Sequence, residues 1–397
     1  MTEYNKRIII NSNITGFQGA SKPTAAHHKI MKRYSSPLLG GPPPNDDLLE
    51  LITHMFNEEE AELAVYLPIF LPRTAVKIAR LSGKKPAYVK SILDHLAFSK
   101  AIILAFGEPR KYTILPLLPG TFEMTLMTPD PNTKNIWHEK FAQIFERIWE
   151  TGYMADYKRN SFPFVRYLPV AKATQTIQKA WPSEMLEEIL DRYDIFAVGT
   201  CQCRLSMQLA NKGCDKPLET CTAFGPIAHL VIDRGLMKQV SKKEIISIKK
   251  NAEEHGCVTW MMNAMGDPYG DGSCSCCGCC CHALRMVTEC NVPGLISKPH
   301  FIPQRNLSKC TVCAKCVSIC PMFALTRLDN KILFNQSRCI GCGLCVVNCK
   351  FNALTLKSTG NSSLPETRYI KLLLKMAPGY LLNTITVLTK RYFRNRQ

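Results

Sequence analysis

Cys310, Cys313, Cys316 and Cys320 follow one another at the spacing C-x2-C-x2-C-x3-C with Pro321 next, and the run repeats twenty-nine residues on at Cys339, Cys342, Cys345 and Cys349. Thiolates at this spacing hold iron-sulfide cubes. Three close cysteines wrap one [4Fe-4S] cube, and the fourth, one residue further along, points at the other. The spacing therefore assigns Cys310, Cys313, Cys316 and Cys349 to the first cluster and Cys339, Cys342, Cys345 and Cys320 to the second. Zinc ribbons also use paired Cys-x2-Cys elements, but zinc has no use for eight cysteines interlocked across two runs.

The match extends past the ligands, since Ala324-Leu325-Thr326 after the first run recurs as Ala353-Leu354-Thr355 after the second. The unit is an internal duplication. Over residues 305–357 it resembles a bacterial-type two-[4Fe-4S] ferredoxin domain, with Cys339-Ile-Gly-Cys-Gly-Leu-Cys345 as the most recognisable stretch. One departure is Lys350 in the place that Pro321 holds in the first run. It loosens the turn after Cys349 and sets a positive charge near the first cluster, which favours the reduced form.

A second cysteine region lies upstream. Cys201-x-Cys203-Arg204, Cys214 and Cys221 form a four-thiol set within twenty-one residues, and Cys274, Cys276, Cys277, Cys279, Cys280 and Cys281 place six more within eight. Six adjacent reactive sulfurs make a poor core and oxidise readily, so metal binding is the better reading. Two arrangements are open. Either a cubane on Cys201, Cys203, Cys214 and Cys221 stands beside another centre on the 274–281 run, or one unusual centre draws on both. Cys257 and Cys290 stand apart as structural thiols, and His229 and His282 are weaker ligand candidates. The Cys-x-Cys-Arg turn, the dense run and the terminal duplication together resemble, over about 195–357, a family of ferredoxin-type proteins of anaerobes, a likeness that implies no particular reaction.

The chain around these thiols has 397 residues, 46% of them hydrophobic, and a formal charge of +18. Its length exceeds one ordinary domain. Twenty cysteines in so long a chain, without a secretory apolar segment and mostly at ligand spacing, point to a reducing compartment and a cytoplasmic protein. Eight thiolates on two cubane cores would remove roughly four units of the positive charge. The rest favours acidic proteins, nucleic acid or an anionic membrane as partners. No Gly-x-Gly-x-x-Gly opens a helix after a strand and no Gly-x4-Gly-Lys-Ser/Thr occurs, so no nucleotide or flavin site is evident.

The elements that must position the thiols suggest an α+β chain in five parts. Residues 1–44 read as a flexible leader ending in Gly40-Gly41-Pro42-Pro43-Pro44. Residues 45–120 carry a helical pattern from Asp46 through Ala64, a second helix from Thr74, a third at 85–96 and a turn at 106–112. They resemble a winged helix-turn-helix domain. Lys84, Lys85, Lys90, Arg110 and Lys111 could meet phosphates there, or could form the solvated face of a protein-docking module. Residues 121–300 form a mixed cysteine-rich middle domain, with an amphipathic helix at 134–150 striped by Ile136, Phe141, Ile144, Phe145 and Ile148. A helix near 183–191, a strand at 195–198 leading into Cys201, and a capped helix from Ser241 to about Glu254 follow. Residues 301–360 are the ferredoxin-like 2[4Fe-4S] domain.

Residues 361–397 form a basic amphipathic tail. From Arg368 on it has seven Lys or Arg and no acid, and Pro378-Gly379 breaks it into two halves. No run of eighteen uncharged apolar residues occurs, so each half is expected to lie on an anionic membrane surface or dock a partner rather than span a bilayer. The function these features support is iron-sulfur electron transfer, as a free carrier or as a subunit of an anaerobic oxidoreductase complex, and a component rather than a complete enzyme. The cofactors are two [4Fe-4S] clusters with further iron-sulfur or metal centres upstream, and the partner is a redox protein. The alternatives are a redox-responsive DNA-binding regulator and an iron-sulfur enzyme with its active centre at the 274–281 run.

Overall fold

The computed structural model describes residues 22–174, 185–265 and 270–394, and the chain divides into two units, Met1–Leu126 with Asn132–Ile148 and Met127–Pro131 with Trp149–Gln397. Helices and antiparallel sheets make up both, an α+β architecture.

In the first unit the expected leader is in part a folded element. A capping box between Thr24 and His27 opens the helix Ala25–Tyr34, which buries His27, Ile30 and Tyr34. His27 Nε2 bonds the Phe56 carbonyl at 2.8 Å, and Arg33 donates to the carbonyls of Ala64, Val65 and Leu67 at the end of the helix Glu58–Ala64. Three anchor residues are too few to show as an apolar period, so the sequence hid this helix. Residues 1–21 of the leader lie outside the described residues. The single helical pattern read from Asp46 to Ala64 is two helices, Asp46–Met55 and Glu58–Ala64, because Asn57 forms a capping box with Glu60 and restarts the chain.

Strand β1 (Arg73–Thr74) precedes the helix Ala75–Ser82, the helix Pro86–Asp94 follows the left-handed Gly83, and β2 (Leu104–Phe106) and β3 (Lys111–Thr113) form a hairpin. The three strands pair antiparallel in the order β1-β3-β2. The amphipathic helix runs Ile136–Glu150 and buries Phe141, Ile144, Phe145 and Ile148. Ile136, read as part of that stripe, is instead exposed in the first turn.

The second unit is built on a six-stranded antiparallel sheet of β4 (Val165–Tyr167), β5 (Phe196–Thr200), β6 (Glu219–Phe224), β7 (Lys238–Val240), β8 (Val258–Met262) and β9 (Asp271–Cys276), ordered β4-β8-β9-β6-β5-β7. The helix Lys242–Glu254 opens on the Ser241/Glu244 capping box and anchors to β6 through buried Lys249, whose Nζ donates to Thr220 O at 3.3 Å. The helix expected near 183–191 occupies Leu186–Leu190, and residues 183 and 184 fall outside the described residues.

The duplicated cysteine runs fold as two copies of a loop and a short helix, Lys315–Ser318 and Leu344–Val347. They are framed by the antiparallel pair β10 (Phe301–Arg305) with β13 (Leu354–Ser358) and the hairpin β11 (Leu325–Leu328) with β12 (Lys331–Phe334). The repeat extends to the backbone. Gly341 and Gly343 take positive φ in the second loop, and their first-loop counterparts Val312 and Ala314 are held at φ 56° and 60°. Left-handed backbone at a non-glycine costs on the order of 1 to 2 kcal/mol per residue, so the first copy carries strain that the second relieves with glycine.

The tail departs from its expected form. Residues Tyr369–Arg394 are one helix with Pro378 inside it, not two halves. Gly379 follows the proline with no side chain to clash, and its N–H bonds Ser161 Oγ, which also donates to the carbonyls of Lys375 and Met376. Those contacts take up the backbone groups that the proline disturbs. The helix packs a narrow stripe of Leu372, Met376, Asn383 and Val387 inward, with Asn383 bonding the Arg159 backbone in both directions. By length and composition alone, Tyr369–Phe393 is long and apolar enough to cross a membrane.

Candidate metal centres

The fourth cysteine of the first run lies with the close three of the second. Cys320 of the first run and Cys339, Cys342 and Cys345 of the second line one small cavity, whose other walls include Pro303, Met322, Phe334, Ile340 and Leu344. The lining is overwhelmingly apolar, and burial raises the Cys339 thiol to about 11 and pushes Cys342 and Cys345 upward as well. Such a pocket suits thiolates only when a cation compensates them. Cys349 and Cys316 both pack against a small core of Leu325, Ile332, Cys345 and Leu354. The fourth sulfurs of the two runs are held alike, Cys320 Sγ by the N–H of Ala324 and Cys349 Sγ by the N–H of Ala353, each at 3.3 Å. The two sites differ in exposure: Cys313 is exposed and Cys310, Cys316 and Cys349 half-buried, whereas Cys342 and Cys345 are buried. The residues present fit two interlocked cubes.

The tight turns leave no slack. A side chain at Gly341 would start 2.6 Å from Phe301 O, and one at Gly343 2.5 Å from the Ala173 methyl. The second loop is thereby pressed onto the rest of its unit, with Val170 N–H bonded to Cys342 O at 2.8 Å, and Tyr167, Val170, Cys276, Cys281, Met322, Ile340 and Cys342 share one core.

The upstream cysteines sort into neither arrangement left open by their order in the chain. Strand alternation in β9 sets Cys274 and Cys276 on one face. The antiparallel register of β6 and β9, extended by one pair beyond Thr222 and Ser273, sets Cys221 against Cys274, their sulfurs 3.2 Å apart. Cys201, at the end of β5, hydrogen-bonds Cys221. Cys281, opening the helix His282–Thr288, takes bonds from Cys203 and Cys276. These six sulfurs, Cys201, Cys203, Cys221, Cys274, Cys276 and Cys281, form one neighbourhood. The chain then turns, and Cys277, Cys279 and Cys280 gather with Cys214 as a separate foursome within 4.8 Å of one another. Cys214 thus leaves the set its sequence position suggested.

Protons are unevenly shared inside the six. The bond from Cys221 lowers Cys201 to about 7, and bonds from Cys203 and Cys276 lower Cys281 further, while Cys203, Cys221 and Cys276 are raised as donors. Two buried cations lie among the upstream thiols. Arg204, fully buried, donates to Ser275 O at 3.0 Å and to the sulfurs of Cys257 and Cys277 at 3.4 and 3.6 Å. Lys249, also buried, interacts electrostatically with Cys274, Cys221, Cys276 and Cys201. Neither is in ion-pair contact with a carboxylate among the described residues. Burial lowers the Lys249 ammonium, and a buried ammonium and guanidinium with no carboxylate in ion-pair contact call for anionic sulfur.

Of the remaining candidates, His282 is buried with Nδ1 3.3 Å from Cys203 Sγ, its ring 4.5 Å from Trp149, and burial holds it neutral at about 3. His229 is exposed. Cys290 stands apart, but Cys257, read as structural, lies in the same cluster as Cys214, Cys277 and Cys280 and accepts from Arg204. Its only sequence signal was its place between the Gly256 helix stop and a strand, which is too common a setting to single it out.

Residues 302–350 match the family described as a 4Fe-4S dicluster domain. This is an iron-sulfur protein. The matched segment begins in β10 and ends just after Cys349, and so contains all eight cysteines of the two runs. No curated protein and no solved structure matches the chain.

Proposed function

We propose that the protein is a single-electron carrier, or the electron-transfer subunit of an oxidoreductase complex of anaerobic metabolism, with one [4Fe-4S] cube on Cys310, Cys313, Cys316 and Cys349 and a second on Cys339, Cys342, Cys345 and Cys320. The observation that carries this reading is the apolar cavity lined by four cysteines from both runs. The cubes supply the one-electron chemistry. The chain supplies dry walls that exclude water from the inner site and N–H bonds to the crossing sulfurs. It also leaves Cys313 exposed, a point of approach for a partner. The six-thiol neighbourhood is read as a further iron-sulfur centre, with Lys249 as its built-in counter-ion. Full-length protein purified without oxygen and assayed for iron, sulfide and the paramagnetic resonance of its reduced form tests the reading. Two magnetically interacting cubes per chain are expected, with iron and sulfide in excess of two cubes from the six-thiol centre. A chain loaded with zinc alone at the eight ferredoxin cysteines would overturn it.

The first unit is read as a winged helix-turn-helix used for protein docking, supported by the order strand, two helices, hairpin and by its three-stranded sheet. A DNA regulator is less well supported, because the basic residues that would meet phosphates are partly neutralised. Asp94 takes Lys90, Arg110 and the Tyr112 hydroxyl at 2.6, 2.9 and 2.6 Å, and Lys84 faces Glu62 at 3.7 Å.

The tail helix is read as a membrane-surface element. Opposite its packed stripe, Ile370, Leu374, Leu381, Ile385, Leu388 and Tyr392 line an exposed outer face. Lys375 and Lys390 are paired with Glu366 and Asp156, and the basic character of the flanks suits anionic lipid, which contributes about 1 kcal/mol per Lys or Arg near its surface. Because Glu366 pairs with Asn263 and Met265 and the inner stripe is buried, deletion of the tail would expose core. Charged substitutions on the outer face are the cleaner probe. Leu381→Glu with Leu388→Glu is expected to abolish flotation with anionic vesicles at unchanged iron content. Wild-type protein that ignores anionic vesicles, or floats equally with neutral ones, would refute the assignment.

A further inference from the structure

The geometry points to a mononuclear zinc site on Cys214, Cys277, Cys279 and Cys280, distinct from the iron-sulfur centres and independent of the electron-transfer reading. The sulfur of Cys214 lies 3.9 Å from that of Cys277 and 3.7 Å from that of Cys280, and the sulfurs of Cys279 and Cys280 are 3.6 Å apart. All four lie within 4.8 Å of one another. A tetrahedron of thiolates around one zinc at about 2.3 Å has edges of about 3.8 Å. A cube spreads its thiolates more widely, because each binds a different iron at a separate corner. The chain contains its own control: among the described residues, no three of the eight ferredoxin cysteines meet the closeness of this foursome. All four thiols are free, with sulfurs far beyond the length of a disulfide bond.

The surroundings suit a small dianionic complex. Arg204 Nη2, 3.6 Å from Cys277 Sγ, supplies a fixed buried cation, and Met207, Ala252 and Cys257 pack around the sulfurs, while Cys279 is exposed and offers an entry path. Four thiolates favour zinc over ferrous iron among the divalent first-row ions. The site would also have a mechanical role. Gly278, between two of its ligands, leaves no room for a side chain, since a Cβ there would start 2.1 Å from Pro321 O. Closing the four sulfurs on one ion therefore pins the turn that carries Cys320, a proposed ligand of the inner cube.

Elemental analysis and zinc-edge X-ray absorption of the full chain, purified anaerobically without added metal, test the proposal. About one zinc per chain with four sulfur neighbours at about 2.3 Å is expected. Cys279→Ser, at the exposed position, should lose the zinc and raise hydrogen exchange around 319–323 while the resonance of the two cubes persists. Zinc bound by nitrogen or oxygen would overturn the proposal, as would wild-type protein that holds no zinc. Loss of the cubes' resonance in wild-type protein that still holds sulfur-bound zinc would count against the electron-transfer reading alone.

Discussion

Cys320→Ala, in full-length protein purified anaerobically, is expected to lose about half of the ferredoxin iron and to convert a spectrum broadened by two interacting cubes into that of one isolated cube. Cys320 lines the cavity with Cys339, Cys342 and Cys345 and interacts electrostatically with all three, although it belongs by sequence to the other run. Removing it deprives the buried site of a ligand. The more exposed group of Cys310, Cys313, Cys316 and Cys349 stays complete. Cys349→Ala should do the reverse and spare the inner cube. Full iron and an unchanged interaction spectrum in Cys320→Ala would show that the fourth ligands do not cross.

Arg204→Met should destabilise the second unit by about 3 kcal/mol or more, the cost of leaving a buried charge cluster without its partner. In a unit of this size that lowers the thermal midpoint by roughly 6 to 12 °C. The guanidinium is fully buried and joins the carbonyls of Pro217 and Ser275, the Thr220 hydroxyl and the sulfurs of Cys257 and Cys277. Methionine fills much of the volume but returns none of those bonds and leaves sulfur anions uncompensated. Arg204→Lys keeps the charge without the fork and should fall between the two. Scanning calorimetry with metal analysis of the same samples decides: a midpoint within about a degree of wild type at full metal content would remove Arg204 from the account.

Much of the ferredoxin part was legible because a cluster motif is local. Three ligands within seven residues fix a loop whatever surrounds it, and the repeat at twenty-nine residues announces the second copy. The helix Lys242–Glu254 was legible for a similar reason, since Ser241 and Glu244 satisfy each other's backbone groups without help from elsewhere. The helix Ala25–Tyr34 was not, because what holds it in place is a histidine bonded to the carbonyl of Phe56 and an arginine capping another helix, and neither partner is close in sequence. The tail misled in the other direction. Pro378 reads as a break, yet Ser161, more than two hundred residues away, supplies the hydrogen bonds that let one helix run through it.

The upstream thiols divide the two kinds of information most sharply. From sequence alone came the residue types, their density and the expectation of metal, because ten sulfurs in such turn-rich spacing exceed what packing uses. Which sulfur meets which was decided by tertiary structure. The register of β6 against β9 pairs Cys221 with Cys274, pleating sends Cys274 and Cys276 to one face, and the turn after β9 carries Cys277, Cys279 and Cys280 across to Cys214. A one-residue change of register would send each strand cysteine to the opposite face, and no property of the cysteines themselves records that choice.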